Sequence, residues 1–268
     1  MTITVIGKNS LIGRSLLDNP LTAGWEFLTH EQALESDEWI EKSEIVINLA
    51  FSPQLKKFAY DDSMDIDGKI ARLIRPCKIH YIMMSSRTVY GPATAPDGCI
   101  SESQHPQPQT PYGRNKLIIE QELEDILGEE RLTILRASNI FGHESGRPSF
   151  FGMALDSLKK SNEIVFDMNA STRRDFIAVW RLAEFLIEIT KSPQAGLFNL
   201  GSGIPLSCRQ IAQWIIEGYG QGSIRQTQND IRDDFYLDMS RTTATFGIHP
   251  LTPEQIKNDC LQCGAAIR

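Results

Sequence analysis

The stretch from Ser85 to Lys116 constrains this chain most. It begins with Ser85-Ser86-Arg87-Thr88-Val89-Tyr90-Gly91, directly behind the apolar run His80-Tyr81-Ile82-Met83-Met84, which reads as a buried strand. It ends with Thr110-Pro111-Tyr112-Gly113-Arg114-Asn115-Lys116, which opens a helix with Pro111 in its first turn. Tyr112 and Lys116 are four residues apart and so share a helix face. An ammonium beside a phenol favours the phenolate and draws its pKa down, which makes a general acid/base that works near neutral pH. Ser86, at the strand end, is placed to reach the same point and to hydrogen-bond a substrate oxygen.

The N-terminus supplies a second constraint. Thr2-Ile3-Thr4-Val5-Ile6 is a β-branched strand, Gly7-Lys8-Asn9-Ser10-Leu11-Ile12-Gly13 is a glycine-bounded turn, and Arg14-Ser15-Leu16-Leu17 begins a helix. Strand, turn and helix start form an anion site, with backbone amides and the helix dipole aimed at a pyrophosphate. Further strands are expected at Trp25–Thr29, Glu44–Ala50 and Leu132–Arg136. A helix is expected from Met64 to Ile74, with Ile66, Ile70, Leu73 and Ile74 on one face and Pro76 as its stop. Residues 92–111 are rich in Pro, Ser and Gln and read as a long binding loop. The Tyr112 helix is expected to expose Glu120, Glu122, Glu124 and Asp125.

Together these motifs resemble the extended short-chain dehydrogenase/reductase family of NAD(P)-dependent nucleotide-sugar epimerases, dehydratases and ketoreductases, over nearly the whole chain. The resemblance implies an α/β fold: a Rossmann-like doubly wound parallel sheet in residues 1–142, with later strands returning to it, and a smaller substrate-binding domain in 143–268. It implies Ser86, Tyr112 and Lys116 as the catalytic trio. Cofactor contacts fall on Gly7, Lys8, Asn9, Ser10, Leu11, Ile12, Gly13, His30, Leu49, Ala50, Phe51, Ser85, Tyr112 and Lys116. Arg87 and Thr88 face the substrate. Asn139 and Arg174, of Arg173-Arg174-Asp175-Phe176-Ile177, match positions that hold the nucleotide diphosphate and a substrate phosphate. Phe198-Asn199-Leu200-Gly201-Ser202-Gly203, Asp238-Met239-Ser240-Arg241 and Phe246-Gly247-Ile248-His249-Pro250 match further landmarks.

Departures from the family pattern narrow the chemistry. Ser10 replaces the middle glycine of Gly-x-x-Gly-x-x-Gly, and Asp65 replaces the asparagine of Asn-Val-x-Gly. Thr29 and His30 stand where NAD enzymes carry an acid for the ribose hydroxyls, and Lys8 can reach a 2′-phosphate, which points to NADP; Glu31 is one residue away and points to NAD. Dehydratases of the family carry an Asp-Glu pair where Arg87 and Thr88 stand, and 3,5-epimerases a cysteine that this segment lacks. What remains is a 4-ketoreductase for a nucleotide 4-keto-6-deoxy-sugar in polysaccharide biosynthesis, a 4-epimerase with tightly held NAD, or a non-enzymatic dinucleotide-sensing regulator.

Composition bounds the setting. The net charge of −7 argues against nucleic acid and anionic membranes as partners. No basic start leads into an apolar run and no run reaches membrane-span length, so the expected location is the cytoplasm. Five scattered cysteines fit reduced thiols, and Cys260-x-x-Cys263 lacks a companion pair, so no metal is expected. The five histidines, lying singly, read as surface or capping residues. In relatives the helices matching 64–75 and 112–127 pair across a two-fold axis, with Leu117, Ile118, Ile119 and Leu123 on the apolar face, which implies a homodimer.

Overall fold

A computed structural model describes residues 2–144, 149–230 and 233–268. In chain order the first half forms β1 (Ile3–Ile6), α1 (Leu11–Leu17), β2 (Glu26–Leu28), α2 (His30–Glu35), β3 (Ile45–Asn48), α3 (Ile66–Ile74), β4 (His80–Ser86), β5 (Cys99–Ile100) and α4 (Pro111–Leu127). The second half continues with β6 (Leu132–Ala137), β7 (Asn139–Phe141), α5 (Phe150–Ser161), β8 (Glu163–Phe166), β9 (Arg173–Arg174), β10 (Phe176–Ala178), α6 (Val179–Lys191) and β11 (Gly196–Leu200). It closes with β12 (Leu206–Ser207), α7 (Cys208–Tyr219), β13 (Ser223–Gln226), β14 (Tyr236–Leu237), α8 (Ser240–Phe246) and α9 (Pro253–Ala266).

Six strands make one parallel sheet in the order β11-β6-β4-β3-β1-β2. Helices cover both faces, so the central strands read as continuous apolar runs rather than alternating ones. The period of two still sorts their side chains. Ile45, Ile47, Ile82 and Met84 enter the cluster shared with α1, α6, α7 and α9, while Val46, Tyr81 and Met83 enter the one under α3 and α4. The first cluster runs from Ile3 to Ile267 and crosses residue 142, and β11 returns to the main sheet from beyond it. From β1 the chain steps outward to β2, then returns to place β3 on the other side of β1. Sheets of this kind open a crevice at such a reversal, beyond the carboxyl ends of the strands.

Local chemistry moves several boundaries. Ser10 caps α1 by accepting from Gly13 N at 3.0 Å, so that helix starts at Leu11 rather than Arg14. Thr29 leaves β2 to cap α2 in a box with Gln32. The segment before α3 is a short 3₁₀ turn, Asp62–Met64, and Asp65 is the N-cap. The long loop contains β5, held by β14.

Two expectations are corrected. Glu120 is buried, not exposed, because Arg136 of β6 offers it two guanidinium hydrogen bonds at 3.0 and 2.6 Å. His80 opens β4 and is neither a surface nor a capping residue: a ring nitrogen lies 2.7 Å from the Thr133 hydroxyl, and burial pushes its pKa down to about 4.

Candidate functional site

The turn after β1 is pressed against the end of β3. Gly7 has a left-handed φ of +96°, and a Cβ there would sit 2.7 Å from Ala50 N. The contact brings Gly7–Ile12 beside Leu49–Phe51. Between and beyond them lies a cleft of about 640 Å³, lined by Gly7, Asn9, Ser10, His30, Glu31 and Leu49–Gln54 among others. A cavity of about 160 Å³ adjoins it and shares Ser10, Leu49, Ala50, Phe51 and Lys56. The smaller cavity continues to Leu11, Ile12, Ser85, Tyr112 and Lys116.

Helix α4 is docked so that Tyr112 and Lys116 reach this space. Thr110 caps it, accepting from Gly113 N at 3.1 Å. Gly113 lies against the end of β4, where a Cβ would fall 2.5 Å from the Thr88 carbonyl. No larger residue allows the first turn of α4 so close to the Ser86–Thr88 segment. Asn115 ties the same helix to the cleft wall through the Leu55 and Phe58 carbonyls, at 2.7 and 2.9 Å. Tyr112 meets the Phe51 ring edge-on at 5.2 Å, and the Lys116 ammonium lies 4.4 Å over the same ring. Lys116 is 3% exposed, yet its Nζ is 3.5 Å from Asp67 Oδ2, so the buried ammonium has a counter-charge.

The two serines differ. Ser85 is buried, and its hydroxyl donates to Glu120. Ser86 accepts from the Thr88 amide at 3.2 Å and from the Thr88 hydroxyl at 3.0 Å. With two bonds accepted, the Ser86 proton is left to donate outward. Ser85 lines the smaller cavity, whereas Ser86 stands beside it as the cap of the turn Arg87–Val89.

The residues expected to face the substrate sit apart. Arg87 forms a two-pronged pair with Asp233, one arm at 2.8 Å, and its guanidinium lies 3.9 Å over Phe235. Arg87, Thr88 and Asp233 line a separate cavity of about 270 Å³ with Gly91, Pro92, Gln109 and Thr110. Asn139 pairs with Phe176 in register, and its Nδ2 is buried with no hydrogen-bond partner among the described residues. Arg174 lies on β9, its Nη2 3.5 Å from Met168 Sδ. These last two residues line neither the cleft nor the cavity at Tyr112.

Near the start of α2, Lys8 donates to Gln32 Oε1 at 2.9 Å and does not line the cleft. His30 Nδ1 lies 3.2 Å from a Glu31 carboxylate oxygen, and both residues line the cleft. Glu31 sits in the first turn of α2, where its backbone amide and the Thr29 hydroxyl hold its carboxyl below the usual range. An acid is therefore present at this end after all, one residue beyond the expected position.

Sequence reasoning missed Asp67, the counter-charge of the Lys116 ammonium, Asn48 and Tyr81, which donate to it, and Asp233, which holds Arg87. Asp65-Ile66-Asp67 carried a signal: two acids inside the first turn of an apolar-faced helix. Asp233 carried none, because it meets Arg87 only through the fold. Among the described residues no group of three or more His, Cys, Asp and Glu is placed to hold a metal. No helix there is long and apolar enough to cross a membrane.

Comparison with known proteins agrees with the fold. Residues 3–201 match the model of the NAD dependent epimerase/dehydratase family. Three solved structures share the fold over essentially their whole lengths. UDP-glucuronic acid 4-epimerase from Bacillus cereus, in complex with UDP-glucuronic acid and NAD, is 17% identical, covering 100% of this chain and 98% of that one at a TM-score of 0.79. TunA, an NAD dependent NDP-hexosamine 5,6-dehydratase of tunicamycin biosynthesis, is 19% identical, covering 99% and 98% at 0.79. RMD from Pseudomonas aeruginosa, complexed with NADPH, is 20% identical, covering 99% and 99% at 0.76.

Proposed function

We propose that this chain, which belongs to the NAD dependent epimerase/dehydratase family, is an NAD(P)-dependent oxidoreductase acting on a nucleotide-activated sugar. The observation that supports this most is the shared cavity. Tyr112 and Lys116 line the same space as Ser10–Ile12 after β1 and Leu49–Phe51 after β3. The residues present fit a dinucleotide: an elongated space at the sheet's reversal point, a glycine-bounded turn at its middle, and a phenol and an ammonium at one end. Gly7–Gly13 hold the pyrophosphate, His30 and Leu49–Phe51 the adenosine, and Ser85, Tyr112 and Lys116 the nicotinamide riboside. A bound nicotinamide supplies hydride transfer.

The chain's own residues handle the proton. Tyr112 gives it to, or takes it from, the sugar oxygen at the reacting carbon. Ser86 donates its remaining hydrogen bond to that oxygen, which stabilises developing negative charge in a water-poor site. Lys116 fixes the ribose beside Tyr112. Residues 143–268 carry the sugar nucleotide, with Arg174 and Asn139 on its phosphates; the orphan Asn139 Nδ2 suits an acceptor oxygen. Arg87, clasped by Asp233, frames the sugar pocket with Thr88. The working form is a cytoplasmic homodimer joined through α3 and α4: Leu73 of α3 is exposed, whereas Ile119 and Leu123 of α4, expected on the dimer face, pack into the core instead.

The finer reading is a 4-ketoreductase using NADPH, in polysaccharide biosynthesis. Arg87 and Thr88 stand where a dehydratase carries its acid pair, and the lack of an acid at Thr29 and His30, with Lys8 in the turn after β1, supports NADP. A 4-epimerase with tightly held NAD has one specific observation in its favour, the Glu31 carboxylate in the cleft, which repels a 2′-phosphate and accepts from ribose hydroxyls. Nicotinamide fluorescence of the purified protein, followed by titration and turnover, separates them. The reductase exchanges cofactor rapidly, binds NADPH about tenfold more tightly than NADH, one charge-assisted contact's worth, and oxidises it when a nucleotide-4-keto-sugar is added. The epimerase retains NAD and interconverts 4-epimers without net oxidation. A protein that binds neither dinucleotide overturns both readings.

A further inference from the structure

Two carboxylates at the start of α3, Asp65 and Asp67, are 0% and 1% exposed, and the chemistry above uses neither. Asp67 is well served. Its Oδ1 accepts from Asn48 Nδ2 at 2.6 Å and from the Tyr81 hydroxyl at 2.9 Å, and its Oδ2 faces the Lys116 ammonium. Asp65 is not. Its Oδ2 accepts from the Tyr60 hydroxyl at 3.0 Å, while its Oδ1 is buried with no partner among the described residues.

The groups facing Asp65 are Asp67 from α3, Lys116 from α4, Tyr60 from the preceding loop, Tyr81 from β4 and the Arg72 guanidinium two turns along α3. Arg72 is largely committed elsewhere: it is an exposed side chain bonded to Asp62 and 3.8 Å from Glu122. The buried cluster therefore holds two carboxyls against one ammonium. An unbalanced buried charge is unfavourable enough that a carboxyl keeps its proton instead. Burial first, and the Asp67 charge second, push Asp65 up to about 6.

We propose that Asp65 is a cofactor-positioning residue whose protonation sets how freely Lys116 engages the dinucleotide. The proposal rests on the reading that Lys116 holds the nicotinamide ribose. With Asp65 protonated, Lys116 has one counter-charge and its ammonium is available to the ribose. With Asp65 ionised, a second carboxylate draws the ammonium towards α3 and leaves net negative charge beside a site that must accept an anionic dinucleotide. Both effects favour the protonated form when cofactor binds. Affinity is then highest below the Asp65 pKa and falls as pH rises through it. By reciprocity, binding raises that pKa and takes up a proton.

Calorimetric titration of the full chain with NADPH and with NAD, at pH 6.5 in two buffers of different ionisation enthalpy, reads this uptake directly. The expected result is uptake of a fraction of a proton, with affinity falling up to about tenfold between pH 5.5 and 7.5. In Asp65→Asn the uptake disappears and the affinity stays near the acid value of the native protein throughout. Asparagine keeps an acceptor for Tyr60, and carboxyl ¹³C resonances of the unmutated protein give an independent check, with one aspartate titrating near pH 6. Binding without proton uptake, or uptake that survives in Asp65→Asn, overturns the inference and leaves the proposed function standing. No binding of either dinucleotide overturns that function and the inference together.

Discussion

Two buried ion pairs sit one turn apart on α4, and they are built differently. Glu120 and Arg136 share two hydrogen bonds, Ser85 donates to a carboxylate oxygen, and the guanidinium lies 4.5 Å over the Tyr90 ring. Each charge there meets its opposite. Lys116 and Asp67 are 3.5 Å apart, and a second carboxyl in the cluster, Asp65, has an oxygen with no partner among the described residues. Buried charges weaken a fold unless geometry and hydrogen bonds offset their desolvation. The satisfied pair is a structural joint between α4 and β6. The other cluster, unbalanced through Asp65, lies one turn earlier on α4, where the proposed cofactor and proton chemistry would need groups that still respond.

Variants on the two turns separate them. The largest effect belongs to the responsive turn. Tyr112→Phe lowers kcat by about 10²–10⁴-fold, the range for positioned acid–base catalysis, with the melting temperature preserved. Turnover on a substrate the native enzyme accepts measures it, and near-native turnover removes Tyr112 from the chemistry. Breaking the satisfied pair acts on the fold instead. Glu120→Ala leaves Arg136 buried without its carboxylate and loses about 3–5 kcal/mol of stability in urea unfolding; a loss under 1 kcal/mol would equate the two pairs. The smallest effect has the opposite sign. A carboxyl whose pKa rises from 3.8 to about 6 on folding binds its proton more tightly in the folded state. Its contribution therefore favours the fold at acid pH and is lost as pH climbs from about 4 to 6. Asp65→Asn, uncharged throughout, is more stable than the native protein at pH 8 by about 3 kcal/mol, and this advantage vanishes near pH 4. Unfolding at the two pH values tests it.

The sheet was legible because its strands are short apolar runs between glycine, proline and cap residues, and each buried run had few alternatives to a parallel strand. The Tyr112–Lys116 pairing was legible because helical spacing alone fixes it. Glu120 was misjudged for a physical reason: an acid on a helix is exposed by default, and only its partner on a strand sixteen residues later makes burial tolerable. The partner of Arg87 is hidden in the sequence for the same reason: Asp233 is distant along the chain. Asp65 was noticed as an unexpected letter, but its isolation from water, and hence its raised pKa, exists only once α3 is packed against β3 and β4.

The Asn115 side chain grips two carbonyls of the 54–58 segment, part of which lines the large cleft. Cleft wall and Tyr112 are thus rivetted to one helix. Whatever loosens that segment tilts the phenol as well, so under the proposed function tolerance in cofactor fit and precision in proton delivery would be a single mechanical quantity.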